Sequence, residues 1–426
     1  MNKIITKIVK IFTIPDLRKK VLAVLVLLVI FRLFAAVPVP GVDLTRLKAI
    51  FSSNQLLGIL NIFSGGTLGN LSIVMLGVGP YITATIILQL LTMVFPRMKE
   101  MYYEEGEAGR QKFNQYARII AVPMALLNAY GFLNILISQN IIAHLTPMAM
   151  IRNAVLVTAG TMLLMWIGEL ISEYKIGNGI SLIIFAGIVS GVPASVRSAI
   201  ISYNPTMLTN YLIFALVAIV IIAGVVIVNE AERKVPVSYA KRVRGTKMYG
   251  GVSSYLPLKV NQAGVIPIIF AISIMLLPQF LGQVLAAFKT TWALSASKFM
   301  TGLFSNNVIY SVIYFLLVII FTYFYTMVTF DPKEISLNLQ RSGGFIPGIR
   351  PGQPTAQFLK QILNRITFVG ALFLGVVAVL PSVMKGITGA AFLSIGGTAL
   401  LIVVSVALET MKQIESQLVM REYEGF

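Results

Sequence analysis

The sequence predicts an all-α polytopic membrane protein, with ten transmembrane helices in two pseudo-symmetric inverted halves of five and a short half-helix folded in after the first span. Three observations predict it. Of the 426 residues, 57% are hydrophobic and only 12% are charged, far more apolar than a soluble core requires. Apolar runs near the roughly 20 residues that a helix needs to cross about 30 Å of hydrocarbon recur ten times along the chain. Glycine and proline interrupt two of these runs at corresponding places in the two halves, as Gly79-Pro80 in the second and Gly264-Val265-Ile266-Pro267 in the seventh, a pattern of inverted repeats with a site at their interface.

The leader, residues 1–20, interleaves Lys3, Lys7 and Lys10 with Ile4, Ile5, Ile8, Ile11 and Phe12. That amphipathic pattern suits a helix lying on the membrane surface rather than a cleaved signal. The spans fall at about 21–37, 71–95, 116–135, 153–171, 180–196, 211–228, 263–287, 307–329, 366–382 and 390–409. The first half is then 21–202, the second 203–409, and 410–426 is a tail. Between the first two spans, Leu56 to Phe63 is about two turns long, too short to cross at about 1.5 Å per residue, and the glycine-rich break Ser64 to Asn70 follows it. Irregular backbone at membrane depth is tolerated only where it is buried in protein or lines a cavity. The half-helix therefore marks a pore or binding site at mid-membrane.

Basic residues set the orientation. With ten spans, both termini share one side, and that side receives 26 of the 34 lysines and arginines; the opposite side receives seven, and Arg32, near the outer end of the first span, completes the count. Both termini are expected in the cytoplasm, with Arg32 snorkelling outward. Fifteen of the 16 acidic residues fall in cytoplasmic loops and ends, the other being Asp43, so no carboxylate sits in the middle of a span. Two cytoplasmic connections exceed what topology requires, Asn229 to Gln262 and Asp331 to Arg365, and both are basic. They read as a docking surface for a large acidic partner such as ribosomal RNA or an acidic protein.

The chain has no cysteine and one histidine, His144, between spans. This excludes a disulfide framework, a thiol nucleophile and a thiolate metal site, and leaves His144 an ordinary loop residue. No Gly-x-x-x-x-Gly-Lys-Ser/Thr motif occurs, and Gly177-Asn178-Gly179 is a helix-start turn rather than a phosphate loop. The expectation is no enzyme, no cofactor and no metal, with energy supplied by a partner or by the membrane potential. A secondary transporter of a small solute is the alternative reading, but a proton- or sodium-coupled carrier usually needs a mid-membrane carboxylate. A non-conducting scaffold would leave the half-helix without a role.

Nine short segments, in order along the ten-span frame, give the chain a family resemblance. They are Phe63-Ser64-Gly65-Gly66; Pro80-Tyr81-Ile82 with Gln89-Leu90-Leu91; Glu105-Gly106-Glu107 with Gly109-Arg110; Ile176-Gly177-Asn178-Gly179-Ile180-Ser181; Tyr239-Ala240-Lys241-Arg242; Leu256-Pro257-Leu258-Lys259-Val260-Asn261; Gly264-Val265-Ile266-Pro267; Pro347-Gly348-Ile349-Arg350-Pro351-Gly352; and Gly396-Gly397-Thr398. In these the chain resembles the SecY family, the central subunits of bacterial protein-conducting channels.

The resemblance implies an hourglass of two five-helix halves, hinged on one side and able to part on the other, in the bacterial cytoplasmic (inner) membrane. It implies a pore ring of Val78, Ile82, Ile180, Ile184, Ile268 and Ile402. It implies a plug at about 56–70, formed by Leu57, Ile59, Leu60, Ile62, Phe63, Ser64, Gly65, Gly66 and Leu68. Gln89 and Asn261 would be polar partners at a lateral gate between spans two and three and spans seven and eight; Ala117 stands where the family often has a hydroxyl, which implies a poorer polar cluster there. Lys241, Arg242, Arg244, Arg341 and Arg350 would dock the ribosome and the SecA motor. SecE- and SecG-type small membrane subunits, signal-bearing precursor polypeptides and bilayer lipid would be the other partners. Independently of the family, Val78 and Ile82, and Ile180 and Ile184, are i,i+4 pairs that share a helix face.

Overall fold

A computed structural model describes residues 12–40, 67–68, 71–138, 146–201, 208–239, 242–244, 247–249, 253–287, 290–303, 307–388 and 396–424. Each of the ten predicted spans falls on one helix of this structure. In the first half these are α1 (Pro15–Ala36), α2 (Gly79–Val94), α4 (Gly106–Ser138), α5 (Pro147–Glu173) and α6 (Gly179–Ile201). In the second they are α7 (Leu208–Glu230), α8 (Ile266–Ala287), α10 (Asn307–Thr329), α12 (Gln353–Thr388) and α13 (Gly396–Glu424). Short helices α3 (Pro96–Tyr103), α9 (Thr291–Leu303) and α11 (Pro332–Arg341) lie in the connections. By length and hydropathy alone, Gly106–Asn134, Pro147–Glu173, Val308–Arg341 and Gln353–Met384 qualify as crossings among the described residues, and Gly79–Thr92 with Pro96–Tyr102 forms a bent fifth. Pro193 in α6 and Pro278 in α8 interrupt two of the others, as membrane helices allow when neighbours satisfy the freed backbone.

Two spans start later than the apolar runs suggest. Residues 71–78 form turns, and α2 begins only at Gly79, after a reversal at Gly77 with φ +59°. The seventh span likewise turns at Gly264, φ +60°, before α8 begins at Ile266. Both residues hold the left-handed backbone that glycine adopts without a Cβ penalty.

The halves repeat their internal packing. In the first half α2 packs on α4, α4 on α5, α5 on α6, and α1 on both α5 and α6. In the second half α8 packs on α10, α10 on α12, α12 on α13, and α7 on both α12 and α13. Advancing every partner by five spans converts the first set into the second, which gives the two-half architecture a physical basis. Among the described residues, the main contacts between the halves are α6 against α13, and α8 against α2 and α4.

Close packing within the first half uses small residues. Ala117, Ala121, Ala125 and Ala129 form a four-residue ladder along α4, each 0% exposed, so that backbones approach closely, as membrane helix pairs do without a hydrophobic driving force between them. Phe113, Ala117 and Ala121 of α4 share an apolar cluster with Tyr81, Ala84 and Leu88 of α2.

The two long basic connections are where strands enter this helical fold. β1 (Glu232–Tyr239) and β4 (Ser253–Lys259) form an antiparallel hairpin pairing Glu232 with Lys259 through Ser238 with Ser253; β2 (Arg242–Arg244) and β3 (Lys247–Tyr249) pair between them. β5 (Gly344–Phe345), from the other long connection, adds to β1 at Ser238 and Tyr239. Val235, Leu258, Ile346 and Leu359 bury a small common core beneath. The two basic connections thus form one unit, where the sequence reading had two separate loops.

Candidate functional site

Four helices bring the predicted ring residues to one place. Val78 caps α2 and Ile82 lies one turn in, its N–H donating to the Val78 carbonyl at 3.1 Å. Ile180 and Ile184 occupy the first two turns of α6. That helix is started by Asn178, whose Oδ1 accepts from the Ser181 N–H at 3.2 Å, and by Ser172, whose Oγ accepts from the Gly179 N–H at 2.9 Å while donating to the Gly168 carbonyl at 3.0 Å. Ile268 sits in the first turn of α8 and Ile402 in the second turn of α13.

Val78, Ile82, Ile184, Ile268 and Ile402 are all buried in one apolar cluster, and Ile180 packs against it half-buried. Two of the helices come from each half, so the cluster lies where the halves meet. Branched aliphatics bind nothing strongly and shed water from a narrow gap. Among the described residues, no Asp, Glu, Lys or Arg is buried, and no group of three metal-ligating side chains occurs. Arg32 lies half-buried near the C-terminal end of α1, its guanidinium 5.7 Å from the Phe31 ring centroid.

Of the predicted plug, Leu57, Ile59, Leu60, Ile62, Phe63, Ser64, Gly65 and Gly66 lie outside the described residues, as does His144. Leu68 is described and 1% exposed; it packs with Leu71, Met75, Phe132 and Val157. Next to it, the Thr67 hydroxyl donates to the Val74 carbonyl at 3.0 Å. The end of the half-helix segment is thereby fixed to the turns that lead to Val78.

Gln89 and Asn261 are not hydrogen-bonded to each other. The Asn261 amide donates instead to Asn229 Oδ1 at 2.8 Å and to the Gly264 carbonyl at 3.1 Å, and Asn229 donates on to Ser405 Oγ at 2.7 Å. Asn229 and Ser405 were not anticipated as site residues. Asn229 ends an apolar run and reads as an interface residue, and only the pairing of β1 with β4 brings the feet of the arm, Asn229 and Asn261, side by side. The acceptor oxygens Gln89 Oε1 and Asn261 Oδ1 remain buried without a partner among the described residues. Each such oxygen costs about 1–3 kcal/mol until a donor reaches it.

On the joined β unit, Arg350 is exposed beside turns at Gly348 (φ +82°) and Gly352 (φ +95°). The Thr355 hydroxyl donates to the Arg350 carbonyl at 2.8 Å, and the Ser336 hydroxyl to the Gly352 carbonyl at 2.5 Å. The backbone under Arg350 is therefore held while its side chain reaches water. Arg341 is exposed at the end of α11. Arg242 and Arg244 lie in β2, at the far end of the hairpin, and Lys241 lies outside the described residues.

Against known proteins, the SecY family model matches residues 72–411. The chain belongs to the SecY family. A protein translocase subunit SecY from Mycobacterium tuberculosis is 43% identical over 433 residues, covering 96% of this chain and 97% of its own. A protein translocase subunit SecY from Streptomyces galbus is 42% identical over 440 residues, covering 99% of each. Among solved structures, one described as a protein conducting channel superposes with TM-score 0.64 at 18% identity over 92% of this chain and 91% of the other. Sec61 in a canine ribosome-channel complex gives 0.61 at 18% identity, covering 92% and 91%. At such identities the likeness is one of fold, and the fold is that of SecY and Sec61. Five of the six aliphatic residues singled out through the family resemblance are thus buried in an apolar cluster that draws on both halves of this SecY-family chain, and Ile180 packs against it.

Proposed function

We propose that this chain is the protein-conducting subunit of a bacterial translocase, passing unfolded polypeptide across the cytoplasmic membrane and releasing apolar segments sideways into lipid. One observation supports the reading most: Val78, Ile82, Ile184, Ile268 and Ile402, from both halves, are buried in one apolar cluster with Ile180 packed against it, and no Asp, Glu, Lys or Arg is buried among the described residues. A passing chain presents every side-chain type. A lining of fixed polar groups would hold some segments and reject others, whereas Val and Ile deform around all of them. A conduit is needed because each charge at the bilayer centre costs about 2.5–3.5 kcal/mol even on the mildest insertion scale.

In this reading the plug segment, about 56–70, closes the outer side of the waist, and α8 parts from α2 and α4 to admit a signal segment. Gln89 and Asn261 are the polar elements of that seam. Both termini are cytoplasmic, as is the joined β unit, whose Lys241, Arg242, Arg244, Arg341 and Arg350 engage the ribosome and the SecA motor. SecE- and SecG-type subunits cover lipid-facing helices. The chain supplies no chemistry of its own and is not an enzyme. A solute transporter is disfavoured because the waist offers no coupling-ion ligand.

Site-specific crosslinking tests the reading. The chain has no cysteine, so single cysteines at positions 82, 184, 268 and 402 report without background. A stalled secretory precursor should crosslink to all four. Crosslinking at none of them, with the precursor engaged at the cytoplasmic unit, would overturn it.

A further inference from the structure

Helix α9, Thr291–Leu303, lies between the outer ends of α8 and α10 and packs on α8. At 13 residues it is too short to cross a membrane. Its surface divides into three faces. Ala293 and Ser297 are buried at 1% and 8% exposure. Thr291, Ser295 and Lys298 form an exposed polar face. Between them runs Trp292, Ala296 and Phe299, spaced four and three residues apart; here Trp292 is 74% and Phe299 67% exposed. An aromatic stripe of this kind is costly in water and is not covered by the chain's own described residues.

We propose that α9 is an interfacial helix, with Trp292 and Phe299 seated in the headgroup–acyl boundary of the outer leaflet. Two observations single out lipid as the occupant. The next helix along the chain, α10, carries an exposed apolar stripe of its own, where Val308, Val312, Leu316 and Ile320 are 70%, 53%, 52% and 58% exposed at four-residue spacing. The connection carrying α9, residues 288–306, holds two lysines, Lys289 and Lys298, and no carboxylate, which suits a phosphate-bearing surface. Tryptophan, with an apolar ring and one N–H donor, is the residue that partitions to this depth. Since α9 packs on α8, the outer end of the helix that meets α2 and α4 is thereby tied to the leaflet rather than to the rest of the protein.

The chain has two tryptophans, and Trp166 sits exposed on α5 at 59%, so Trp166→Phe leaves Trp292 as the sole reporter. The variant is reconstituted in vesicles of phosphatidylethanolamine and phosphatidylglycerol, with bromines placed either near the acyl carbonyls or at the chain ends. The expected result is a loss of Trp292 emission, larger with shallow than with deep bromines, and little loss with aqueous iodide. Strong iodide quenching with no lipid quenching would place α9 in water. No quenching by either would place it under a protein partner. Either result overturns the proposal. Should Trp166→Phe fail to fold, the difference in quenching between the unsubstituted chain and Trp292→Phe carries the same reading.

Discussion

Gly79 and Gly179 each open a helix that carries two of the six waist residues, yet their surroundings differ. A Cβ on Gly79 would meet nothing within 4 Å, whereas one on Gly179 would lie 1.8 Å from the Gly168 carbonyl oxygen. Backbone cannot yield that distance cheaply, and overpacking of this kind costs about 1–3 kcal/mol or more. Gly79→Ala should therefore leave thermal stability unchanged in detergent. Gly179→Ala should lower the midpoint by several degrees and displace Ile180 and Ile184, seen as raised ion conductance in planar bilayers. Equal behaviour of the two variants would show that the α5–α6 contact does not position the waist. The same bilayers test the side chains themselves. Replacing Ile82 and Ile184 by Ser should raise resting conductance, because a hydroxyl holds the water that a branched aliphatic sheds; an unchanged seal would reduce both to plain packing. Sequence alone could not rank the two glycines, since both precede helices in similar apolar runs and only the Gly168–Ser172–Gly179 contact separates them.

Among the elements, the three-stranded sheet β4–β1–β5 joins connections more than a hundred residues apart, and the value of Arg350 depends on it. Ile346, 3% exposed in the small core with Val235, Leu258 and Leu359, holds the turn that presents Arg350. Ile346→Ala should cost about 2–5 kcal/mol locally and open the connection to limited proteolysis. Arg350→Glu should leave the proteolytic pattern unchanged and still block motor-driven export; normal export by that variant would remove Arg350 from the docking site. The helices were legible because apolar runs of spanning length have few alternatives in lipid. The sheet was not, because its strands are short, carry Lys, Arg and Pro, and owe their pairing to contacts between the two connections. Apolar alternation at Val235 and Val237 was the signal present. Helix starts were legible only within several residues: Gly79-Pro80 marked a break in the run from Leu71, but not that the whole stretch before it forms turns.

For the whole molecule, the repeat of partners at an interval of five spans explains why the chain meets itself in two unlike places. The α6–α13 joint is fixed where α6 begins: a Cβ on Gly177 would come within 3.1 Å of Thr410 Oγ1, and Gln417 donates a hydrogen bond to the Lys175 carbonyl. The opposite contact, α8 against α2 and α4, lies where Ile268 and Ile272 of α8 share one apolar cluster with Ile82 and Ile86 of α2. Lipid tails are as apolar as these side chains, so parting them and admitting lipid forfeits packing but little hydrophobic free energy. The buried oxygens of Gln89 and Asn261, without partners among the described residues, each cost about 1–3 kcal/mol until a donor reaches them. Motion should therefore concentrate on the α8 side while the α6–α13 side acts as the pivot. Since the native chain lacks cysteine, a cysteine pair bridging α2 to α8 should arrest transport of signal-bearing precursors when oxidised and release it on reduction. A pair bridging α6 to α13 should have little effect in either state. If the second bridge arrests transport and the first does not, the pivot and the opening side are exchanged, and the packing asymmetry between them does not govern the motion.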